Sequence, residues 1–131
     1  MNKKMDKILA EISAGELIDK ITILEIKKEK ISNKEKLVEV NKELISLNET
    51  LKKSINDESK ILSFKIDLKN INLKLWNIED GKRLAEKNSQ FDEKFIELAR
   101  SVYKFNDERA KIKSAINEAL GSNIKEVKSY E

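Results

Sequence analysis

The 131-residue chain contains no cysteine, no histidine and no proline, and only three glycines. Each absence excludes a class of chemistry or structure. Without Cys there is no disulfide framework, no thiolate nucleophile and no zinc or iron–sulfur site of the usual kind. Without His there is no Ser-His-Asp triad and no His-ligated metal or haem. Without Pro nothing forces a helix to break. No run of about 18 apolar residues exists, so no segment is expected to span a membrane. The charged start Met1–Lys7 precedes only the short stretch Ile8–Ile12, which includes Glu11. A secretory leader needs a longer apolar core, and the expectation is an intracellular, cytoplasmic protein.

What is present is charge and hydrophobic bulk in equal share, 39% each. That balance, with the length, fits one helical-bundle domain over residues 1–131. The net charge is only +3. Lys and Glu alternate through stretches such as Lys27-Lys28-Glu29-Lys30, which reads as a solvated helix face rather than a basic stripe, so nucleic acid is not the expected partner. Of the 27 basic residues three are Arg (Arg83, Arg100, Arg109) and 24 are Lys. The Lys excess fits an AT-rich genome. The Arg are more informative, because a guanidinium offers a planar fork of donors that Lys cannot copy.

Helix signals run along the whole chain. Ser13-Ala14-Gly15-Glu16 has the form of a capping box, with Ile12 and Leu17 placed for a hydrophobic staple. The stripe that follows (Leu17, Ile18, Ile21, Leu24, Ile31, widened by Ile23 and Ile26) is broad enough to imply burial on more than one side. A heptad seam at Leu37, Val40, Leu44, Leu47 and Leu51 predicts a second helix ending near Ser54–Asp57. A third seam runs from Ile61 to Ile78, with Asp57 or Ser59 as cap and Gly81 inside the helix or at its end. A fourth runs from Phe91 to Ala119, capped by Asp92 or Ser89 and closed by Gly121 at C′. Long seams and short connections predict an all-α, antiparallel bundle of three to four long helices. Residues 7–12 and the tail Ile124–Tyr130 are candidates for a short terminal two-stranded clip. Self-association or a protein partner is expected for any seam left over.

One residue breaks the pattern. Arg109 stands in the apolar stripe of the last helix, four residues after Phe105 and three before Ile112. A charge in a core costs several kcal/mol unless it is paired and hydrogen-bonded, so a carboxylate is expected nearby. Asp19, Glu25, Glu79 and Asp80 are the candidates. Arg100 lies nine residues away, about 180° round the helix, and shares a second face with Tyr103, Lys104 and Asp107 that suits an interface. Glu79 and Asp80 are adjacent and diverge by about 100°, so alone they make no metal site. No Gly-rich phosphate loop is present, and no cofactor is called for. Glu16–Ile21 faintly resembles the first helix of the all-helical chorismate mutases, but positions 13–31 lack that family's Arg.

Several blocks resemble domain-of-unknown-function family 6165. They are Ile12–Lys27, with its Gly-Glu-Leu-Ile-Asp-Lys-Ile-Thr-Ile-Leu run, Leu75–Asp80, Phe95–Tyr103, Asn106–Ala110 and Lys128–Tyr130. The chain departs from the family pattern at Asn77 and Gly81, where the family carries Asp. The resemblance implies a single helical domain and brings no activity. It also gathers Asp19, Thr22, Glu79, Asp80, Arg100, Tyr103, Asn106 and Arg109 into the matching blocks, as would suit a polar network inside the bundle. Two functions follow as expectations. One is a non-enzymatic interaction or accessory module with an internal Arg–carboxylate network and a filled core at Arg109. The other is a small-anion-binding protein or enzyme, with an open cavity there and a guanidinium only partly satisfied.

Overall fold

The computed structural model describes residues 4–128. It contains four helices: α1 (Ala14–Lys30), α2 (Lys34–Ser54), α3 (Glu58–Lys87) and α4 (Glu93–Leu120). Helix starts are set by side-chain caps that satisfy otherwise orphaned backbone N–H groups. Ser13 Oγ accepts from the Glu16 N–H at 3.1 Å, Asn33 Oδ1 from Lys36 at 3.0 Å, Asp57 Oδ1 from Ser59 at 3.1 Å and Asp92 Oδ1 from Phe95 at 3.3 Å. Only half of the expected capping box forms. The Glu16 carboxylate turns to Lys113 at 2.6 Å instead of back to Ser13, because a charged ammonium competes better for an anion than a neutral amide does. Gly121 closes α4 at φ 62°, a left-handed conformation that glycine adopts without a Cβ clash.

α1 is the central helix. It packs against each of the other three, and α3 packs along α4. Its burial follows the broad stripe: Leu17, Ile18, Ile21, Leu24 and Ile26 are all buried. Val40, Leu44 and Leu51 of α2, Ile61 and Leu68 of α3 and Ile116 of α4 complete the main core around them. The three-residue connection between α1 and α2 turns the chain back on itself.

α3 continues unbroken through Gly81. A Cβ at that position would lie 3.2 Å from Leu98 Cδ1, so the missing side chain lets α3 and α4 approach there. At 30 and 28 residues, α3 and α4 are about 45 and 42 Å long, against about 25 Å for the 17-residue α1. They outrun it as an antiparallel hairpin. Asn72 meets Arg109, Lys74 stacks over Phe105 and Gly81 faces Leu98. No residue from 79 to 112 is buried, although the seam positions Phe95, Leu98, Val102 and Phe105 are half-covered.

Among the described residues there is no strand. The termini meet through side chains rather than as a two-stranded clip. Asn123 Nδ2 donates to Glu11 Oε2 at 2.6 Å, and Ser122 Oγ accepts from the Ala14 N–H at 3.0 Å. Ser129 and Tyr130, which belong to the expected clip and to the last family block, lie outside the described residues. No described helix is long and apolar enough to cross a membrane.

Candidate functional site

Where α1 crosses the α3–α4 pair, the core is polar. Asp19 and Thr22 from α1, Asn72 from α3, and Lys113 and Asn117 from α4 are all buried. Their placement follows helical spacing: Asp19 and Thr22 are three apart on one face of α1, and Arg109, Lys113 and Asn117 recur every fourth residue along α4. Burying such groups is unfavourable unless each is hydrogen-bonded, and among the described residues no buried side-chain nitrogen or oxygen lacks a partner.

The Asn72 amide is the hub. Its Nδ2 donates to Asp19 Oδ1 at 2.8 Å and to Thr22 Oγ1 at 3.0 Å, and its Oδ1 accepts from Arg109 Nη1 at 3.3 Å. Thr22 Oγ1 donates in turn to the Asp19 carbonyl at 2.8 Å. Arg109 therefore makes no direct ion pair in this network. The amide stands between the guanidinium and Asp19, using its acceptor for one and a donor for the other.

Lys113 is the cation that meets carboxylates directly. Its Nζ lies 2.6 Å from Glu16, 2.7 Å from Glu126 and 3.9 Å from Asp19. Burial works to lower the Lys113 pKa, but hydrogen bonds to Glu126 and Glu16 and the charges of Glu16 and Asp19 outweigh it, so the group sits above its usual 10.5. Burial likewise pushes the Glu16 carboxyl up, yet the hydrogen bond and charge of Lys113, with Lys20 and Arg109 further off, hold it below its usual 4.5. The pH consequence follows from those signs. A lowered Glu16 stabilises the fold above its unfolded value near 4.5, and that contribution is lost as pH falls through the folded value. A raised Lys113 stabilises below 10.5 and loses its contribution as pH rises through the folded value. Urea unfolding midpoints measured across pH should be flat from about 6 to 9 and fall below about 4.5. In Glu16→Gln the acid limb should become shallower; an unchanged limb would refute the assignment.

Beside this polar core a pocket of about 270 Å³ opens at the base of the α3–α4 hairpin. Ile23 and Ile26 of α1 and Leu75 and Trp76 of α3 form its apolar lining. Asn72, Glu79, Asp80 and Arg83 of α3, and Arg109 of α4, supply its polar groups. A guanidinium carries five N–H donors, and Arg109 uses one of them, on Asn72. Neither Arg83 nor Asp80 has a hydrogen-bond or ion-pair partner among the described residues. Glu79 is 3.4 Å from Lys82, one turn along the same helix.

The expected site residues thus divide. Asp19 and Thr22 lie in the polar core, Glu79 and Asp80 line the pocket, and Arg109 touches both. Glu25 is engaged elsewhere, with Lys65 at 2.9 Å and Lys69 at 3.7 Å. Arg100 and Tyr103 are exposed on the far side of α4, and half-buried Asn106 joins neither the network nor the pocket lining. Sequence reasoning missed Asn72, Lys113, Asn117 and Arg83. The recurrence 109–113–117 beside the apolar seam was a readable signal for two of them. Asn72, flanked by Ile71 and Leu73, had none.

No curated protein and no solved structure matches the chain. A family profile described as "Family of unknown function (DUF6165)" matches residues 8–131, a span that contains the polar core, the pocket and both ends of the helical array. On that match over nearly its whole length, the chain belongs to this family of unknown function.

Proposed function

We propose that the protein binds a small anionic molecule in the pocket beside Arg109. The observation that carries this reading is the partly satisfied guanidinium. Asn72 orients it, its other donors are unused, and it borders a pocket that also holds the unpaired Arg83. Two Arg lining one cavity suit a carboxylate or a phosphate monoester. Ile23, Ile26, Leu75 and Trp76 suit a compact apolar or ring-shaped body. Glu79 and Asp80 at the same pocket disfavour a second anionic group, and favour a ligand that also carries hydroxyl or ammonium donors. At about 270 Å³ the pocket suits a single metabolite-sized molecule.

Trp76 is the only tryptophan in the chain, so its fluorescence is a direct reporter of occupancy. Titration with inorganic phosphate, phosphate monoesters and small hydroxycarboxylates should change Trp76 emission, with a Kd of about 1 mM or tighter for at least one class. Arg109→Leu should abolish the change while costing about 1–3 kcal/mol of stability, because it leaves the Oδ1 of buried Asn72 without its donor. If no probe alters the emission, or if Arg109→Leu binds as wild type, the reading fails. A second reading, an interaction module, is favoured by the apolar residues exposed along the hairpin.

A further inference from the structure

The hairpin presents a face that the pocket does not use. Glu93, Ile96, Glu97, Arg100, Tyr103 and Lys104 fall at i, i+3, i+4, i+7, i+10 and i+11, one stripe on the outer side of α4. All six are exposed, Ile96 at 49% and Tyr103 at 66%. The charges on this stripe are segregated. The acids Glu93 and Glu97 occupy its N-terminal half and the bases Arg100 and Lys104 its C-terminal half.

Within one helix the arrangement is only partly compensated. Glu93–Glu97 and Arg100–Lys104 are like-charge pairs at i,i+4, each of which weakens a helix, and they are opposed only by the favourable i,i+3 spacing of Glu97 and Arg100. None of the four side chains has an ion-pair partner among the described residues. The helix dipole accounts for Glu93 in the first turn, but not for Arg100 and Lys104, which stand in the middle of a 28-residue helix. Elsewhere in the chain acids and bases pair, as in Lys65–Glu25 and Lys69–Glu29.

We propose that this stripe is the interface of a homodimer in which two copies of α4 pack antiparallel across a two-fold axis near Leu98 and Ala99. In that arrangement the acidic half of each stripe lies on the basic half of the other. Glu97 faces Arg100 of the partner subunit, and Glu93 faces Lys104 of the partner subunit. Ile96 and Tyr103 share one edge of the stripe, so Ile96 packs beside Tyr103 of the partner subunit. A two-fold interface must be self-complementary, and a stripe whose two halves carry opposite charge meets that requirement. The contact spans about twelve residues of each helix, roughly 18 Å, so the dimer is weak and salt-sensitive.

Sedimentation equilibrium over a concentration series tests this. The wild-type chain should show a reversible monomer–dimer equilibrium with a Kd on the order of 10–100 μM, weakened by raising salt to about 0.5 M. Arg100→Glu and Glu97→Arg should each weaken association by at least about tenfold, and the double exchange E97R/R100E should restore it. Tyr103→Ala should weaken it without changing the salt response. All these positions are exposed, so circular dichroism should report unchanged helicity. The proposal is overturned by a chain that stays monomeric at several hundred μM, by a dimer whose Kd ignores the single reversals, or by a double exchange that fails to restore association. It is independent of the pocket: Trp76 titration and sedimentation read different faces.

Discussion

Gly15→Ala should lower the thermal midpoint by about 10 °C, because the methyl group has nowhere to go. A Cβ at residue 15 would lie 2.5 Å from the Lys113 carbonyl oxygen and 3.0 Å from Asn117 Oδ1. The first contact is backbone, in the middle of a helix, and cannot swing aside. The first turn of α1 must therefore withdraw from α4. That movement lengthens the 2.7 Å bond from the Gly15 N–H to Asn117 Oδ1 and disturbs the neighbouring bond from Ala14 to Ser122. Overpacking costs about 1–3 kcal/mol, and a buried hydrogen bond left unmade costs a similar amount, for a total on the order of 3 kcal/mol. Better helix propensity of Ala returns less than about 1 kcal/mol. Gly121→Ala provides the contrast. Its φ of 62° is strained for any residue with a Cβ, but nothing lies within 4 Å of the added atom. It should cost only about 1 kcal/mol. Thermal unfolding followed by circular dichroism separates the two. A Gly15→Ala midpoint no lower than that of Gly121→Ala would mean that the close approach of α1 and α4 is not as described.

Lys113→Met should destabilise by about 3–5 kcal/mol, the range for breaking a buried pair by removing one partner. Methionine retains much of the apolar stem and removes the charge. Asp19, 4% exposed, would then keep its hydrogen bond from Asn72 but lose the one ammonium within 4 Å among the described residues. Glu16 would lose its shortest contact, and the two acids would stand on one face of α1, three residues apart, without the cation between them. The signature is in the pH dependence. Wild-type protein loses stability as pH falls through the folded pKa of Glu16. Lys113→Met should lose less over the same interval, because the hydrogen bond and charge that hold the Glu16 carboxyl low are then gone. Adding Asp19→Asn to Lys113→Met should recover part of the loss. Urea titrations at pH 4 and pH 7 would check both. A mutant that is equally destabilised at both pH values would show that packing of the stem, not the charge, holds Lys113 in place.

Much of the fold is legible along the chain because helix periodicity and end signals are local. The seam of α2, the cap at Asp92 and the glycine at residue 121 all lie where spacing and side-chain chemistry put them. The breadth of the Leu17–Ile26 stripe gave notice that α1 is covered by several neighbours. Arg109 in an apolar seam marked the region where the polar core and pocket meet. Periodicity also separates the faces of α4, so Arg100 and Tyr103, which the family resemblance had grouped with Arg109, stand exposed on another face.

The partners were not legible. Periodicity says which face of a helix is covered, but not which residue of another helix arrives there. Asn72 was an ordinary polar residue between two aliphatic ones until α1 crossed α3 and brought Asp19 and Thr22 to its amide. Glu16 matched a local capping pattern, and a buried ammonium from residue 113 took it instead. By itself, then, the sequence determined an all-α bundle of three to four helices, their inward faces and the chemistry excluded by the missing Cys and His. Only the tertiary structure decided that α1 is too short to cover α3 and α4. That mismatch of length leaves a pocket at the end of the shared core and an uncovered hairpin beyond it, since a helix can bury its neighbours only as far as it reaches.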